Sequence, residues 1–347
     1  MKKICIRVDG NEIIATGHVM RCLSIAVQLR KIGADVVFVL ADARPASMIE
    51  CAEFEYHVLN SEWDYMDSEI DTFCQYIEDS DINTVLVDSY YVTEDYLKRL
   101  SLVANVCYID DLDKFIYPVH TIVNYSLQYD RGYENRYYKA GYNTRFLLGG
   151  KYVPLREEFS HKPYKVSKKV QKILITTGGT DQLNMAYKLL EKFLKEPTLK
   201  TLEYNVIVGR FNKNRDMLVD LSKEYTNIII HENVTNMSHW MRLCDVAVSA
   251  AGTTTFELSA CGIPSICFEV ADNQAGADMW EKGGYMLYAG NAYLKQEDCL
   301  NNCVDNLNSL CEDYELRLKM SRNMQGVVDG LGALRLADYL IKLSEEN

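Results

Sequence analysis

The sequence predicts an α/β protein of two Rossmann-like, doubly wound domains that face each other across a cleft. Short runs of β-branched and other apolar residues alternate with helical patterns along the chain, which is typical of parallel sheets. The alternation is interrupted at residues 161–171 and then starts again, so the two halves follow one plan. A chain of 347 residues is long enough for two domains of ordinary size.

The first domain is predicted over residues 1–160. In its first helix, apolar residues recur at the i, i+3 and i+4 spacing of a buried face. Thr16 and Gly33 stand where a cap and a stop are expected. The predicted strands are 3–8, 35–40, 84–88, 105–110 and 120–125, and the predicted helices are 18–32, 66–79 and 93–102.

A polar, basic stretch, HKPYKVSKKVQ at residues 161–171, is predicted to link this domain to a second one over residues 172–325. A last helical segment follows DGLG and has no strand after it, so residues 326–347 are expected to fold back onto the first domain. The predicted strands are 172–176, 204–208, 227–231, 245–249 and 264–268, and the predicted helices are 182–195 and 331–344.

Composition and net charge limit the classes of partner that the chain is expected to bind. Hydrophobic residues make up 48% and charged residues 25%, as in an ordinary globular protein. The net charge of −12 argues against binding of nucleic acid, whose phosphates need basic clusters, but allows a small anion held by backbone amides. No stretch approaches the roughly 18 apolar residues of a membrane span, so no stable membrane insertion is expected.

Cysteine usage and the first residues indicate a cytoplasmic protein. The 11 cysteines include no C-x-x-C pair, and Cys299 and Cys303 fall at helical spacing, which favours reduced, buried thiols over a zinc site. Arg7 and Asp9 interrupt the first apolar run too early for a signal peptide. We expect a monomer.

The segment AVSAAGTTTFELSACGIPSICFEVADNQ, residues 247–274, is the strongest candidate ligand site. Its first strand ends in small residues up to Gly252, which lets the backbone approach a ligand closely. Thr253 begins a helix whose first amides and positive dipole end suit a phosphate, and the Glu257 carboxylate follows where it could accept two ribose hydroxyls. Asn273 and Gln274 open the next loop. An ordinary βαβ unit with small turn residues is the alternative interpretation.

A second glycine loop, TTGGTD at residues 176–181, stands at another junction between a strand and a helix. Glycine turns are common at such junctions, so this loop alone is a weak signal. It differs from G-x-x-x-x-G-K-[ST], and an ATPase of that type is therefore not expected.

In the first half, polar groups follow the ends of several predicted strands. Asp9, His18, Asp88, Tyr90 and Asp110 are expected to converge on one spot, because ligands collect at the carboxyl ends of such strands. His18 stands at the start of the first helix, where the helix dipole favours a neutral imidazole that can act as a base. The alternative is a capping or surface histidine.

The segment Asp111-Leu112-Asp113 has the D-x-D spacing of metal-dependent glycosyltransferases. Those enzymes carry the motif in a single-domain fold, whereas this chain shows two domains. We therefore favour a solvated loop here and expect no metal, with metal binding as the alternative.

Five motifs occur together in one order: Gly17-His18, Asp88-x-Tyr90, LREEF at 155–159, GGTD at 178–181, and the segment from Gly252 to Gln274. Together they resemble the UDP-sugar hydrolases of pseudaminic acid biosynthesis, a route to a nonulosonic acid, over roughly residues 3 to 285. More distantly, the pattern is similar to the GT-B enzyme that adds N-acetylglucosamine to the lipid-linked peptidoglycan precursor. One departure is Ala15, which stands where the family often has a glycine.

The resemblance implies a GT-B-like fold and cleavage of UDP-2,4-diacetamido-2,4,6-trideoxy-β-L-altropyranose to the free sugar and UDP, with no cofactor. It assigns His18 as the general base. It implies sugar-side contacts from Asp9, Gly17, Tyr90, Arg156 and Asn273, and nucleotide contacts from Gly178, Gly179, Thr180, Asp181, Gly252, Thr253, Glu257 and Gln274.

A single histidine suits this reaction. Most glycosidases use two carboxylates, but UDP is already a good leaving group, so one base can suffice while amides at a helix end stabilise the diphosphate. The alternatives are a GT-B glycosyltransferase that uses a UDP-sugar donor in surface polysaccharide synthesis, and a non-catalytic protein that binds a nucleotide sugar. The two-domain fold does not decide between them.

Overall fold

The computed structural model describes residues 2–14, 16–127 and 132–346, apart from the side chain of Asn273. The chain forms two compact units. Unit 1 runs to Glu157 and includes the residues from Gly330 onward, and unit 2 comprises Glu158–Asp329. Each unit is built on a parallel sheet flanked by helices, which confirms the predicted fold class of two Rossmann-like domains.

The strands of unit 1 form one parallel sheet of seven strands. They are β1 (Lys3–Val8), β2 (Asp35–Leu40), β3 (Glu55–Val58), β4 (Thr84–Asp88), β5 (Asn105–Ile109), β6 (Thr121–Asn124) and β7 (Arg145–Leu148). Their order in the sheet is β3-β2-β1-β4-β5-β6-β7. The helices in this part of the chain are α1 (Gly17–Lys31), α2 (Ala46–Cys51), α3 (Ile70–Asp79), α4 (Glu94–Val103) and α5 (Gly132–Lys139).

Both faces of this sheet are covered. Ile4 and Ile6 of β1 pack in the cluster that includes α1, whereas Cys5 packs with α3 and α4 on the other face. Strands buried on both faces read as continuous apolar runs, which explains why the five inner strands were predictable. The edge strands β3 and β7 were not predicted, because they are short and mostly half-buried or exposed.

Helix α1 begins and ends within one residue of the prediction, but Thr16 does not cap its N-terminus as predicted. The Thr16 side chain accepts no capping hydrogen bond. Its backbone, at φ −109° and ψ 3°, lies outside the extended region that a capping residue adopts. Gly33 ends the helix as predicted: at φ +86° it allows the Ala34 amide to donate to the Leu29 carbonyl at 3.0 Å.

Unit 2 has a parallel sheet of six strands. They are β8 (Lys172–Thr176), β9 (Glu203–Val208), β10 (Ile228–Glu232), β11 (Val246–Ala250), β12 (Ser265–Glu269) and β13 (Leu287–Asn291), in the order β10-β9-β8-β11-β12-β13. The helices are α6 (Met185–Lys195), α7 (Arg215–Glu224), α8 (Met237–Leu243), α9 (Thr253–Cys261), α10 (Met279–Lys282), α11 (Gln296–Glu312) and α12 (Tyr314–Val327). The edge strand β13 was missed for the same reason as β3 and β7.

Two predicted helices begin later than expected. The helix predicted over 66–79 opens with a 3-10 helix at Met66–Ser68, and α3 begins only at Ile70. Helix α6 begins three residues later than predicted, because Asp181 and Asn184 adopt left-handed backbone conformations at φ +44° and +53°. Residues 161–171 pack on unit 2: Arg317 donates to the carbonyls of Ser167 and Lys168, and the Tyr164 hydroxyl donates to the Cys244 carbonyl.

The last helix, α13 (Gly332–Leu343), belongs to unit 1 and packs on α1. Gly332 lies so close to the backbone that a Cβ atom there would be 2.1 Å from the Val153 carbonyl oxygen. The helix end is held by Lys2 and Asn83, which both donate to the Ser344 carbonyl at 2.9 Å. Within the described ranges, no helix is both long enough and apolar enough to cross a membrane.

Candidate active site

A buried pair of His18 and Asp88 forms the centre of the candidate site in unit 1. β4 lies beside β1, with Asp88 opposite Val8. Asp88 is therefore at the carboxyl end of the strands, where the chain leaves β1 and turns towards α1. His18 is the second residue of α1, and its Nδ1 lies 2.6 Å from Oδ1 of Asp88. The exposed fractions of the two residues are 6% and 1%.

The pairing fixes the tautomer of the neutral imidazole. An ionised carboxylate only accepts hydrogen bonds, and its contact with Nδ1 is shorter than the 3.2 Å approach of Arg21 Nη2 to the same atom, so the proton is assigned to Nδ1 and the lone pair to Nε2. His18 lines a small pocket together with Asp9, Ile14, Asp88, Ser89, Tyr90 and Tyr91. A histidine that donates through Nδ1 to a buried carboxylate is oriented to accept a proton at Nε2.

Arg21 keeps Asp88 ionised. Its Nε donates to Oδ2 at 2.6 Å and its Nη2 to Oδ1 at 2.5 Å, which is a bidentate pair. Burial alone would raise the pKa of Asp88, but Arg21 and His18 outweigh it and hold this pKa well below its usual range. Arg21 also contacts Asp111, at 2.8 Å, and the Tyr125 hydroxyl.

Tyr90 packs edge-on against the imidazole of His18, with 4.5 Å between the ring centroids and 81° between the planes. Its hydroxyl donates to Asp111 at 3.3 Å. Burial and the charge of Asp111 raise the pKa of Tyr90 to about 12, so the phenol stays neutral and can donate. Tyr90 therefore limits the orientations available to His18.

Asp9 lies in the same pocket but is held by a separate network. Its Oδ2 accepts from Arg7 at 2.6 Å and its Oδ1 from the Ala41 amide at 2.8 Å. Arg7 also makes a bidentate pair with Glu69 and is fully buried. Burial raises the pKa of Asp9, although Arg7 opposes the shift.

Asp110 does not join the pocket. Its carboxylate accepts from the amides of Leu112 and Asp113 and from the Tyr133 hydroxyl, so it shapes the loop after β5. The expectation that Asp110 converges with the other four residues is therefore wrong, because its acceptor atoms are used by the loop amides and by Tyr133 of α5.

The D-x-D carboxylates each pair with an arginine. Asp111 pairs with Arg21, and both oxygens of Asp113 lie 2.7 Å from a nitrogen of Arg136. Among the described residues, no group of three or more histidine, cysteine, aspartate or glutamate side chains is arranged to hold a metal ion.

Gly17 and Arg156 are the remaining sequence-predicted residues of unit 1. Gly17 is the exposed first residue of α1, and apart from its chain neighbours and its own helix backbone, no atom of the described chain lies within 4 Å of where its Cβ would be. Arg156 is half-buried and is not among the residues that line the His18 pocket. A ligand contact of either residue stays a prediction.

In unit 2, the glycine loop Gly178–Asp181 is fixed by a close neighbour. A Cβ atom at Gly209 would lie 2.5 Å from the carbonyl oxygens of Gly178 and Gly179, so only glycine fits there. The amide of Phe211 donates to the Gly179 carbonyl at 3.1 Å. Residues 178–180 are exposed, so this ordered loop is accessible to a ligand.

Asp181 has a structural role in this loop. Its carboxylate oxygens accept from the amides of Met185 at 2.8 Å and Ala186 at 3.1 Å, at the start of α6. Burial raises the pKa of Asp181, and these backbone donors act in the opposite direction. The contact that the resemblance implied between Asp181 and the nucleotide stays a prediction.

Gly252 and Thr253 form the start of α9 as the sequence predicts. Gly252 adopts φ +138°, and the Thr255 hydroxyl donates to its carbonyl at 2.6 Å. The first amides of a helix have no partner within the helix, so this end can bind an anion. Glu257 is half-buried one turn further along.

Gln274 lies beside this helix start. Its Nε2 would be 3.8 Å from a Cβ atom at Gly252, and its Oε1 accepts from the Val270 amide at 2.8 Å. The predicted role of the Asn273 side chain falls outside the described residues.

Arg21 belongs to the site through its contacts with Asp88, but the sequence patterns did not single it out. Arg21 lies one helical turn after His18, and this H-x-x-R spacing on one helix face was the available signal.

Comparison with known proteins supports the division of the chain into two units. Residues 173–327 match the family model of the glycosyltransferase family 28 C-terminal domain. The chain is similar to UDP-sugar hydrolases. It is 23% identical over 293 residues to the UDP-2,4-diacetamido-2,4,6-trideoxy-beta-L-altropyranose hydrolase of Campylobacter jejuni, covering 82% of this chain and 97% of that protein.

It is also 27% identical over 277 residues to an uncharacterised protein of Methanocaldococcus jannaschii, covering 76% of this chain and 55% of that protein. The chain therefore spans about half the length of that relative. The crystal structure of MurG from Acinetobacter baumannii matches with a TM-score of 0.73 at 12% identity, covering 99% of this chain and 100% of that one. At this identity the likeness concerns the fold alone.

Proposed function

We propose that this protein hydrolyses a UDP-linked 2,4-diacetamido-2,4,6-trideoxyhexose of the altrose type to the free sugar and UDP, without a metal, in pseudaminic acid biosynthesis. The observation that carries the proposal is the buried His18–Asp88 pair, whose Nδ1 and Oδ1 atoms lie 2.6 Å apart in a pocket. The similarity to a hydrolase with this substrate in its name supports the choice of sugar.

In the proposed reaction, Nε2 of His18 takes a proton from a water molecule as the water oxygen bonds to the anomeric carbon. The bond from that carbon to the UDP oxygen breaks, UDP leaves with the electron pair, and the configuration inverts. Asp88 stabilises the imidazolium that forms, and Arg21 keeps Asp88 charged. A base positioned in this way contributes roughly 10²–10⁴-fold to the rate.

The nucleotide half of the substrate is assigned to unit 2. The exposed Gly178–Thr180 loop and the first amides of α9 offer uncharged donors for the diphosphate, which replace a metal ion. Glu257 is proposed to accept the ribose hydroxyls, and Gln274, next to Gly252, to contact the nucleotide.

A glycosyltransferase is the second candidate, because the family model that matches unit 2 describes glycosyltransferases. It would use the same base to deprotonate an acceptor hydroxyl in surface polysaccharide synthesis. The difference lies in the acceptor, since a hydrolase uses water and a transferase requires a sugar or lipid hydroxyl.

One experiment separates the two candidates. The purified protein is incubated with the UDP-linked diacetamido-trideoxyaltrose in EDTA, and UDP and free sugar are followed by NMR, with and without a lipid or glycan acceptor. Equal release of UDP and free sugar without an acceptor supports hydrolysis. Release only with the acceptor would support the transferase. Activity that needs manganese would support metal binding by Asp111 and Asp113.

A further inference from the structure

The pocket around His18 has apolar as well as polar lining residues. Tyr91, in the loop between β4 and α4, lines it together with Ile14, and the remaining lining residues carry polar groups. The Tyr91 amide donates to the hydroxyl oxygen of Ser89 at 3.2 Å, which fixes the chain direction in this loop. Tyr91 is 37% exposed, so its side chain is both part of the lining and accessible to a ligand.

Trp63, in the segment after β3, supports the ring of Tyr91. The two rings pack edge-to-face, with 5.0 Å between their centroids and 83° between their planes, which is a favoured arrangement of two aromatic rings. Trp63 is itself half-buried, and the central guanidinium carbon of Arg44 lies 6.0 Å from the centroid of its ring. Tyr91 therefore presents an ordered aromatic surface to the pocket.

We propose that the ring of Tyr91 packs against a methyl group of the sugar. This inference rests on the proposed function. The proposed sugar carries a methyl group at C6 and another in each acetamido group, so it is apolar for a sugar. The Asp9 and Asp88 carboxylates in the pocket cannot stabilise a methyl group, because an ionised carboxylate requires hydrogen-bond donors. An aromatic ring can, since the contact removes apolar surface of both partners from water.

The contact would make Tyr91 a specificity-determining residue, whereas its neighbour Tyr90 orients His18. A sugar with a hydroxyl at the contacted position would place that hydroxyl against the ring, where it loses hydrogen bonds to water and gains no partner. A difference of one methylene in an apolar pocket changes binding by roughly 10- to 200-fold. Because Tyr91 is partly exposed, we expect an effect at the lower end of this range.

The test compares Tyr91→Ala, which removes the ring, with Tyr91→Phe, which keeps it. Tyr138→Ala is the matched control, because Tyr138 is also exposed and packs edge-on against an aromatic ring, that of Phe146, but does not line the pocket. Binding of UDP and of the UDP-sugar is measured by calorimetry in proteins that also carry His18→Asn, which serves as the parent. Three analogues of the same configuration are measured too: one has a hydroxymethyl group at C6, and the others have a hydroxyl in place of the 2-acetamido or the 4-acetamido group.

We expect Tyr91→Ala to bind the UDP-sugar roughly 10-fold more weakly than the parent and UDP equally well. Tyr91→Phe should recover most of this loss, and Tyr138→Ala should retain the parent affinities. One analogue should bind to the parent and to Tyr91→Ala about equally, and its altered position identifies the contacted methyl group.

Parent-like binding of the UDP-sugar by Tyr91→Ala would overturn the inference, as would an equal loss for UDP or for all three analogues. Binding by Tyr91→Phe as weak as that by Tyr91→Ala would assign the contact to the hydroxyl and also overturn it. So would a parent that binds all three analogues as tightly as the UDP-sugar, and this comparison needs no substitution at Tyr91, so it decides even if a variant does not fold.

UDP release by the protein with His18 intact keeps this result separate from the proposed function. A protein that releases no UDP but whose sugar affinity depends on the Tyr91 ring contradicts hydrolysis and supports the Tyr91 contact. Normal UDP release, with the same KM in Tyr91→Ala as in the unmodified protein, supports hydrolysis and overturns the Tyr91 contact.

Discussion

Nδ1 of His18 and Oδ1 of Asp88 lie 2.6 Å apart, although 70 positions separate the two residues in the chain. The relationship depends on sheet order, because β4 lies beside β1 and brings Asp88 opposite Val8. It gives the candidate base a fixed tautomer and a buried negative charge behind it.

Asp88→Asn should lower turnover by roughly 10²–10⁴-fold, because an amide can accept or donate and no longer selects the Nδ1–H tautomer. The measurement is kcat for UDP release beside the Kd of UDP, which should not change. Asp111→Asn is the control: it removes a partner of Arg21 but no partner of His18, so its effect should be much smaller. Near-normal kcat in Asp88→Asn would contradict the proposed orientation of His18.

The stability contributed by Asp88 should be lost in acid. Burial opposes ionisation of Asp88, but Arg21 and His18 hold its pKa below the usual range. A carboxyl with a depressed folded-state pKa stabilises the fold above its unfolded pKa of about 3.9, and this stability is lost as the pH falls through the folded value. Urea unfolding should therefore show a free-energy difference between wild type and Asp88→Asn that is large at neutral pH and shrinks in acid. A difference that is constant with pH would contradict the ion pair.

Gly209→Ala should weaken UDP binding roughly tenfold, because its Cβ would displace the Gly178–Gly179 carbonyls and disturb at least one ligand hydrogen bond. Gly326→Ala is the matched control, since it lies in α12 and, apart from its chain neighbours and its own helix backbone, no atom of the described chain lies within 4 Å of its Cβ position. Unchanged UDP affinity in Gly209→Ala would remove the glycine loop from the nucleotide site.

Glu257→Ala should weaken UDP binding by about 1–3 kcal/mol if its carboxylate accepts ribose hydroxyls. Calorimetry with UDP and 2′-deoxy-UDP makes the test specific. Wild type should prefer UDP, and Glu257→Ala should bind both about equally, because the group that reads the 2′-hydroxyl is absent. A variant that keeps the wild-type preference would place Glu257 outside the ribose site.

The sequence was most informative where strands are buried on both faces. β1, β4, β8 and β11 read as apolar runs because helices cover both sides of each sheet. The edge strands β3, β7 and β13 carry half-buried and exposed residues, and their pattern is hard to distinguish from a loop. The edge strand β10 is similarly exposed, but its three successive isoleucines made it predictable.

In the candidate site, too, some features could be predicted from the sequence and others could not. His18 and Asp88 were predictable as neighbours, because both follow the carboxyl ends of inner strands. The bidentate pair of Arg21 with Asp88 depends on side-chain orientation, which no periodic pattern encodes. The hydrogen bond from the Met185 amide to Asp181 was not predicted, because Asp181 was interpreted as part of the glycine loop and α6 was expected to begin earlier.

The most direct test of the account is UDP release from the UDP-linked diacetamido-trideoxyaltrose by wild type and His18→Asn, without an acceptor. Asparagine keeps a polar side chain but cannot take the proton, so we expect kcat to fall roughly 10²-fold or more with little change in the Kd of UDP. Near-normal turnover by a folded His18→Asn protein would contradict the account.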